Sequence, residues 1–169
     1  MFYWLLIIFL VFAISFLYAT WRGAPWVPMR KADVERVLAL ANLSSGQVFV
    51  ELGSGDGRMS VAAAAKGAKA KGFELSLLPF LLSIARNIFI PVNCRPKFYF
   101  KDLWKVNLSD ADVVYVFLTP PIMPALKEKL EKELKTGARV ICYVWAMPGW
   151  QPVASDLLAG RCKVYLYNR

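Results

Sequence analysis

Three glycines at alternate positions, 53, 55 and 57, stand directly after an apolar run in VELGSGDGR, residues 50–58, with Glu51 two places before the first. Without a Cβ atom, glycine turns the chain tightly and lets bare backbone approach a ligand. The stretch also falls at a switch in periodicity. QVFVEL, AKGFE, KFYFKD, DVVYVFL and ARVICYVWA read as strands, and residues 57–66, 76–89 and 122–135 between them read as helices. This alternation predicts an α/β fold with a mainly parallel, Rossmann-like sheet. CKVYLYN near the C-terminus is expected as a further strand, antiparallel at the edge. In such sheets ligands bind beyond the C-terminal ends of the strands, usually over the first one. A dinucleotide fingerprint would need glycine at position 58, which is Arg58, and no G-K-[ST] closes the stretch as in a phosphate loop. The spacing is G-x-G-x-G instead.

A second constraint lies at the N-terminus. Residues 2–21, FYWLLIIFLVFAISFLYATW, carry no charge. About twenty helical residues match the roughly 30 Å of a bilayer's hydrocarbon core. Tyr3, Trp4, Tyr18 and Trp21 sit near the two ends, and Arg22, Arg30 and Lys31 follow, which predicts one span with the remaining chain on the cytoplasmic side. A cleaved signal peptide would show a basic leading region, a shorter apolar stretch and a small-x-small site, none of which is clear. The segment accounts for much of the 57% hydrophobic content and the mean hydropathy of +0.42. The expected division is therefore residues 1–21 as a transmembrane helix, 22–46 as a connector with one helix starting near Ala32, and 47–169 as the ligand-binding domain.

Net charge is +9, with lysine and arginine scattered rather than clustered with aromatics, so no nucleic-acid partner is expected. Attraction to anionic headgroups explains the bias beside an anchor. Cys94, Cys142 and Cys162 are far apart and unpaired in pattern, and there is no histidine. Metal sites and the usual catalytic triads are thereby disfavoured.

VELGSGDGR resembles motif I of the class I S-adenosylmethionine (SAM) methyltransferases, an acidic residue followed by G-x-G-x-G. The resemblance covers residues 47 to about 145 and implies SAM as cofactor. It assigns Glu51 to the loop and the methionine moiety, and Gly53, Ser54, Gly55 and Gly57 to the floor beneath the cofactor. Glu74, closing the second strand, would meet the ribose hydroxyls, and Asp102 with Leu103, after the third, the adenine. Asp56 and Arg58 have two open roles, at the helix terminus or as surface charges.

A narrower resemblance spans nearly the whole chain. The N-terminal helix, PWVP, DVERVLALA, KDLWKVNLSDADVVYVFL and GARVICYVWAMPGWQP look like the FAM173-type methyltransferases and their bacterial and archaeal relatives. This implies a class I methyltransferase fold behind one transmembrane helix and a protein-lysine N-methyltransferase acting on a membrane protein. Met29 departs from the Thr or Ser common in the family after the second proline.

Methyl transfer from a sulfonium needs positioning and water exclusion rather than a covalent nucleophile. The acceptor is expected over the end of the fourth strand, beside Thr119, Pro120 and Pro121. Tyr143 and Trp145 are either walls for a lysine side chain or core aromatics, and Trp26 is either a cover over the pocket or an interface anchor. Residues 75–91, LSLLPFLLSIARNIFIP, carry one charge and are apolar nearly all round, so their outer face is expected on the bilayer, on the anchor or on a second copy. The alternatives are a lipid or quinone methyltransferase, a non-catalytic SAM-binding protein and, weakest, a nicotinamide oxidoreductase.

Overall fold

The charge-free N-terminal stretch forms a single helix, α1 (Phe2–Arg22), in a computed structural model that describes residues 2–169. Met1, the first residue of the expected span, lies outside the described residues. Among the described residues of α1 only Ala19 is buried. An apolar helix of this length with so little of its surface buried is suited to lipid rather than water. The connector then leads to α2 (Lys31–Ala41), which buries Val34, Val37, Leu38 and Ala41, the face expected from their spacing, and ends on Asn42 in the left-handed region.

The rest alternates. β1 (Val48–Leu52), α3 (Arg58–Ala65), β2 (Lys69–Glu74), α4 (Leu77–Ile88), β3 (Lys97–Phe100), β4 (Val113–Val116), α5 (Met123–Glu133) and β5 (Arg139–Tyr143) follow in order. β6 (Ala154–Asp156) and β7 (Val164–Asn168) complete the sheet, whose order is β3-β2-β1-β4-β5-β7-β6. The first five strands are parallel, and β7 runs antiparallel to β5. CKVYLYN is therefore antiparallel but not at the edge. The edge is β6, pairing outside β7; its three residues, ASD, offer no apolar alternation from which a strand could be read.

The central strands are covered on both sides, as parallel strands must be. Val50, Leu52, Val114, Val116, Val140 and Cys142 point into a core shared with Leu126 and Leu130 of α5. Phe49, Val113, Tyr115, Ile141 and Tyr143 point into the opposite core, shared with α2 and α3. The direction of strand order reverses between β1 and β4, and the glycine loop emerges there.

β5 stops sooner than its apolar run suggests because Val144 has φ 75. A β-branched residue in the left-handed region is strained. The turn carries the next residue, Trp145, out of the sheet to the mouth of a cavity.

Candidate active site

β1 ends against β2, where the amides of Gly53 and Ser54 both donate to the Phe73 carbonyl at 2.9 Å. The chain turns through Gly55 (φ 53) and Gly57 (φ 75) into α3. A Cβ at Gly55 would lie 2.7 Å from the Trp26 indole, and one at Gly57 would lie 2.3 Å from the Phe98 ring. The two glycines thus serve different ends: Gly55 lies on the cavity floor, whereas Gly57 lets α3 approach β3 and does not line the cavity.

Gly57 caps α3 without a side chain, leaving the first amides of the helix to find acceptors elsewhere. Glu51 supplies one. Its Oε2 accepts from the Ser60 amide at 2.9 Å and the Ser60 hydroxyl at 2.6 Å. Burial pushes this carboxyl up to about 8, against the two Ser60 hydrogen bonds and with the negative charges of Asp56 and Glu74 adding to the rise. At pH 7 the group therefore holds a proton until a positive charge arrives.

Glu74, at the end of β2, accepts from the amides of Gly55 (2.7 Å), Leu75 (2.9 Å) and Ser76 (2.7 Å). Burial raises its carboxyl, and the three amides oppose that rise. The acid holds the loop's shape as well as facing the cavity. Asp102, after β3, accepts from the Trp104 amide at 3.0 Å and from Arg22 Nη2 and Nε at 2.7 and 3.1 Å. Leu103 begins the 3-10 turn Leu103–Lys105, and its amide is not used by the turn.

These groups line one cavity of about 210 Å³. Glu51, Gly53, Ser54, Gly55, Glu74, Asp102 and Leu103 all reach it, as do Thr119, Trp145 and Trp26. Pro120 and Pro121 do not; they are exposed in the 3-10 turn Pro120–Ile122. Nor does Tyr143, which is a core aromatic: its hydroxyl donates to Asp33 Oδ2 at 2.7 Å and its ring meets Phe117 edge-on at 4.8 Å. Phe117, which follows β4 on the same face of the sheet, takes the wall position instead, while the Tyr143 hydroxyl is held by Asp33 of α2.

The roof of the cavity comes from α1 and the connector. Thr119 Oγ1 donates to the Gly23 carbonyl at 2.6 Å, and Trp104 Nε1 to that of Arg22 at 2.9 Å. Arg58, whose role the sequence left open, donates to the Met29 carbonyl at 2.5 Å and pairs with Asp56 at 2.6 Å. Asp56 also meets Arg86 at 2.7 Å. Burial would raise the Asp56 carboxyl, but the two guanidiniums outweigh it and hold it below its ordinary value. Sequence reasoning missed Arg22 as a cavity residue, since it read as a topological flank, and missed Phe117, which read as the interior of a strand.

Two features suit the floor to a nucleoside-bearing ligand such as SAM. Ser54 Oγ is buried in the cavity wall without a partner among the described residues. The bare backbone of Gly55 is covered by the Trp26 indole, which packs where a Cβ would stand, so a ligand on that floor meets or displaces the indole.

Comparison with known proteins bears on the same residues. The profile of the ANTKMT methyltransferase domain matches residues 51–154. The adenine nucleotide translocase lysine N-methyltransferase of Mus musculus is 42% identical over 133 residues, covering 77% of this chain and 57% of the mouse protein. A protein-lysine N-methyltransferase of Saccharolobus islandicus is 35% identical over 133 residues, covering 76% of this chain and 81% of the archaeal one. An RNA methyltransferase from Salinibacter ruber, solved with S-adenosyl-L-homocysteine (SAH), superposes with a TM-score of 0.79 at 31% identity, covering 84% of this chain and 93% of that chain. The chain spans only 51% to 59% of the length of its five vertebrate relatives. With more than half of its residues inside the match, including the whole glycine loop and all three strand-end acids, the chain belongs to the ANTKMT methyltransferase domain family.

Proposed function

We propose that this protein is a membrane-anchored, SAM-dependent methyltransferase whose acceptor is a lysine side chain of a membrane or membrane-associated protein. One observation carries the reading: the cavity over the G-x-G-x-G loop is roofed by the end of the apolar helix and its connector. The similarity to the mouse and archaeal lysine methyltransferases supports the choice of acceptor.

In this reading SAM supplies an activated methyl group on sulfur. Gly53, Ser54 and Gly55 lie beneath it, Glu51 faces its ammonium, Glu74 its ribose, and Asp102 with the Leu103 amide its adenine. Trp26, Phe117, Thr119 and Trp145 frame the acceptor entrance. A lysine must arrive neutral, and at pH 7 only roughly one in 10³ is so at the ordinary pKa. Aromatic walls hold the incoming cation and exclude water, and desolvation there lowers its pKa. In this reading α1 spans the bilayer and the entrance lies at its surface, with the domain on the cytoplasmic side, a side that the basic flank of Arg22, Arg30 and Lys31 supports.

The experiment is SAH formation by the full-length protein in nanodiscs supplied with source-cell membranes, before and after the lysine amines are blocked by reductive alkylation. Blocking should abolish turnover. Turnover that survives blocking but is lost after lipid extraction or ribonuclease treatment would replace lysine with a lipid or an RNA acceptor.

A further inference from the structure

We propose that α4 is a second membrane contact: the domain sits sunk against its own anchor, with the outer face of this helix in lipid. The proposal rests on the reading of α1 as a spanning helix.

Of the 12 residues of α4, LLPFLLSIARNI, only Pro79 and Ser83 are buried. Leu78, Leu81, Leu82 and Ile88 face outward, and the patch runs on through Phe89, 86% exposed, and Val92, 78% exposed. The helix has a single charge, Arg86, and that side chain, 41% exposed, is paired with Asp56. A contiguous apolar surface of this kind is uncommon on a water-facing monomer and marks a contact.

The anchor identifies the contact. α1 packs on α4. Ser15 Oγ accepts from the Leu77 amide at 2.8 Å and donates to the Leu75 carbonyl at 3.5 Å. Ser15 precedes Arg22 by seven positions, which is about 10 Å along a helix axis. Arg22 is the first charge after the span and is held by Asp102. If it marks the edge of the hydrocarbon, the first turn of α4 is joined to α1 well below that edge, and its outer face meets acyl chains. The far end of the helix carries the expected border. Arg95 donates to the Ile88 and Ile90 carbonyls, and the exposed Lys97 at the start of β3 stands beyond, placed for anionic headgroups.

The test places the photocrosslinker benzoylphenylalanine at Leu82 or Phe89 in the full-length protein in nanodiscs of phosphatidylcholine and phosphatidylglycerol. Leu10 of α1 and Lys132 of α5 serve as references, and retained SAH binding shows that each variant is folded. Lipid adducts at Leu82 and Phe89 in yields like those at Leu10, with none at Lys132, are expected. Adducts at Leu10 alone would overturn the proposal and leave the anchor standing. Adducts between two copies at Phe89 would overturn it in favour of a self-association face. Absence of adducts at Leu10 would remove the spanning helix, and this proposal with it.

Discussion

The floor of the cavity is tied together over short stretches of chain, Glu51 to Ser60 across 9 residues and Glu74 to Gly55 across 19. Its roof is tied across 80 residues from Arg22 to Asp102 and across 96 from Gly23 to Thr119. The floor belongs to the sheet and persists wherever β1, β2 and α3 are folded. The roof exists only while α1 is docked. The comparison teaches that cofactor geometry is set by the sheet and its loops, whereas closure over it is set by the docking of α1 and the connector.

Breaking the floor has the largest expected effect. Gly55→Arg puts a side chain where a Cβ already meets the Trp26 indole at 2.7 Å, at φ 53. SAH affinity, read by calorimetric titration, should fall by about 100-fold or more. The floor's acid sets a pH dependence next. Glu51 is protonated below about 8 in the free protein and ionised beside the ligand's ammonium, so binding releases a proton. Affinity should rise by up to about tenfold per pH unit on approach to that value and then level off; Glu51→Gln should flatten the profile. In the free protein the same shift acts on stability. The contribution is fully present below the ordinary value of 4.5 and is lost as pH rises through about 8.

The roof yields smaller effects. Arg22→Ala removes the charge that holds Asp102 to the end of α1, and SAH affinity of the nanodisc-held protein should fall by about three- to tenfold, with membrane retention unchanged. Smallest is Val144→Gly, which relieves the strained φ of 75 beside Trp145. Strain relief of about 1–3 kcal/mol, less about 1 kcal/mol for glycine's added freedom, should raise the melting temperature by a few degrees. Turnover should drop if that strain holds Trp145 at the entrance, and unchanged turnover would remove Trp145 from the acceptor wall.

The sequence made the floor legible for the same reason that it is robust. Glycine spacing, strand-end acids and apolar periodicity are local signals, and they located β1 to β5, α2 to α5 and, Gly57 excepted, the cavity-lining residues named between Glu51 and Leu103. Of the roof the sequence offers only Trp26, as one of two roles; Arg22 was not legible, because nothing near it says that its partner lies 80 residues away. Tyr143 and Phe117 could not be told apart for a related reason: both are aromatics at the ends of apolar strands on one face of the sheet, and what ties Tyr143 to α2 is its hydrogen bond to Asp33, 110 residues away. The short β6 carried no periodic pattern at all.

The most direct test of the central claim compares methyllysine across the membrane proteome of source cells carrying the wild-type chain or Gly55→Arg. The account predicts at least one lysine, in a membrane protein and within reach of the bilayer surface, that is methylated in the first and unmodified in the second. No difference at any lysine, with methyl label from SAM recovered instead in lipid or RNA, would contradict it.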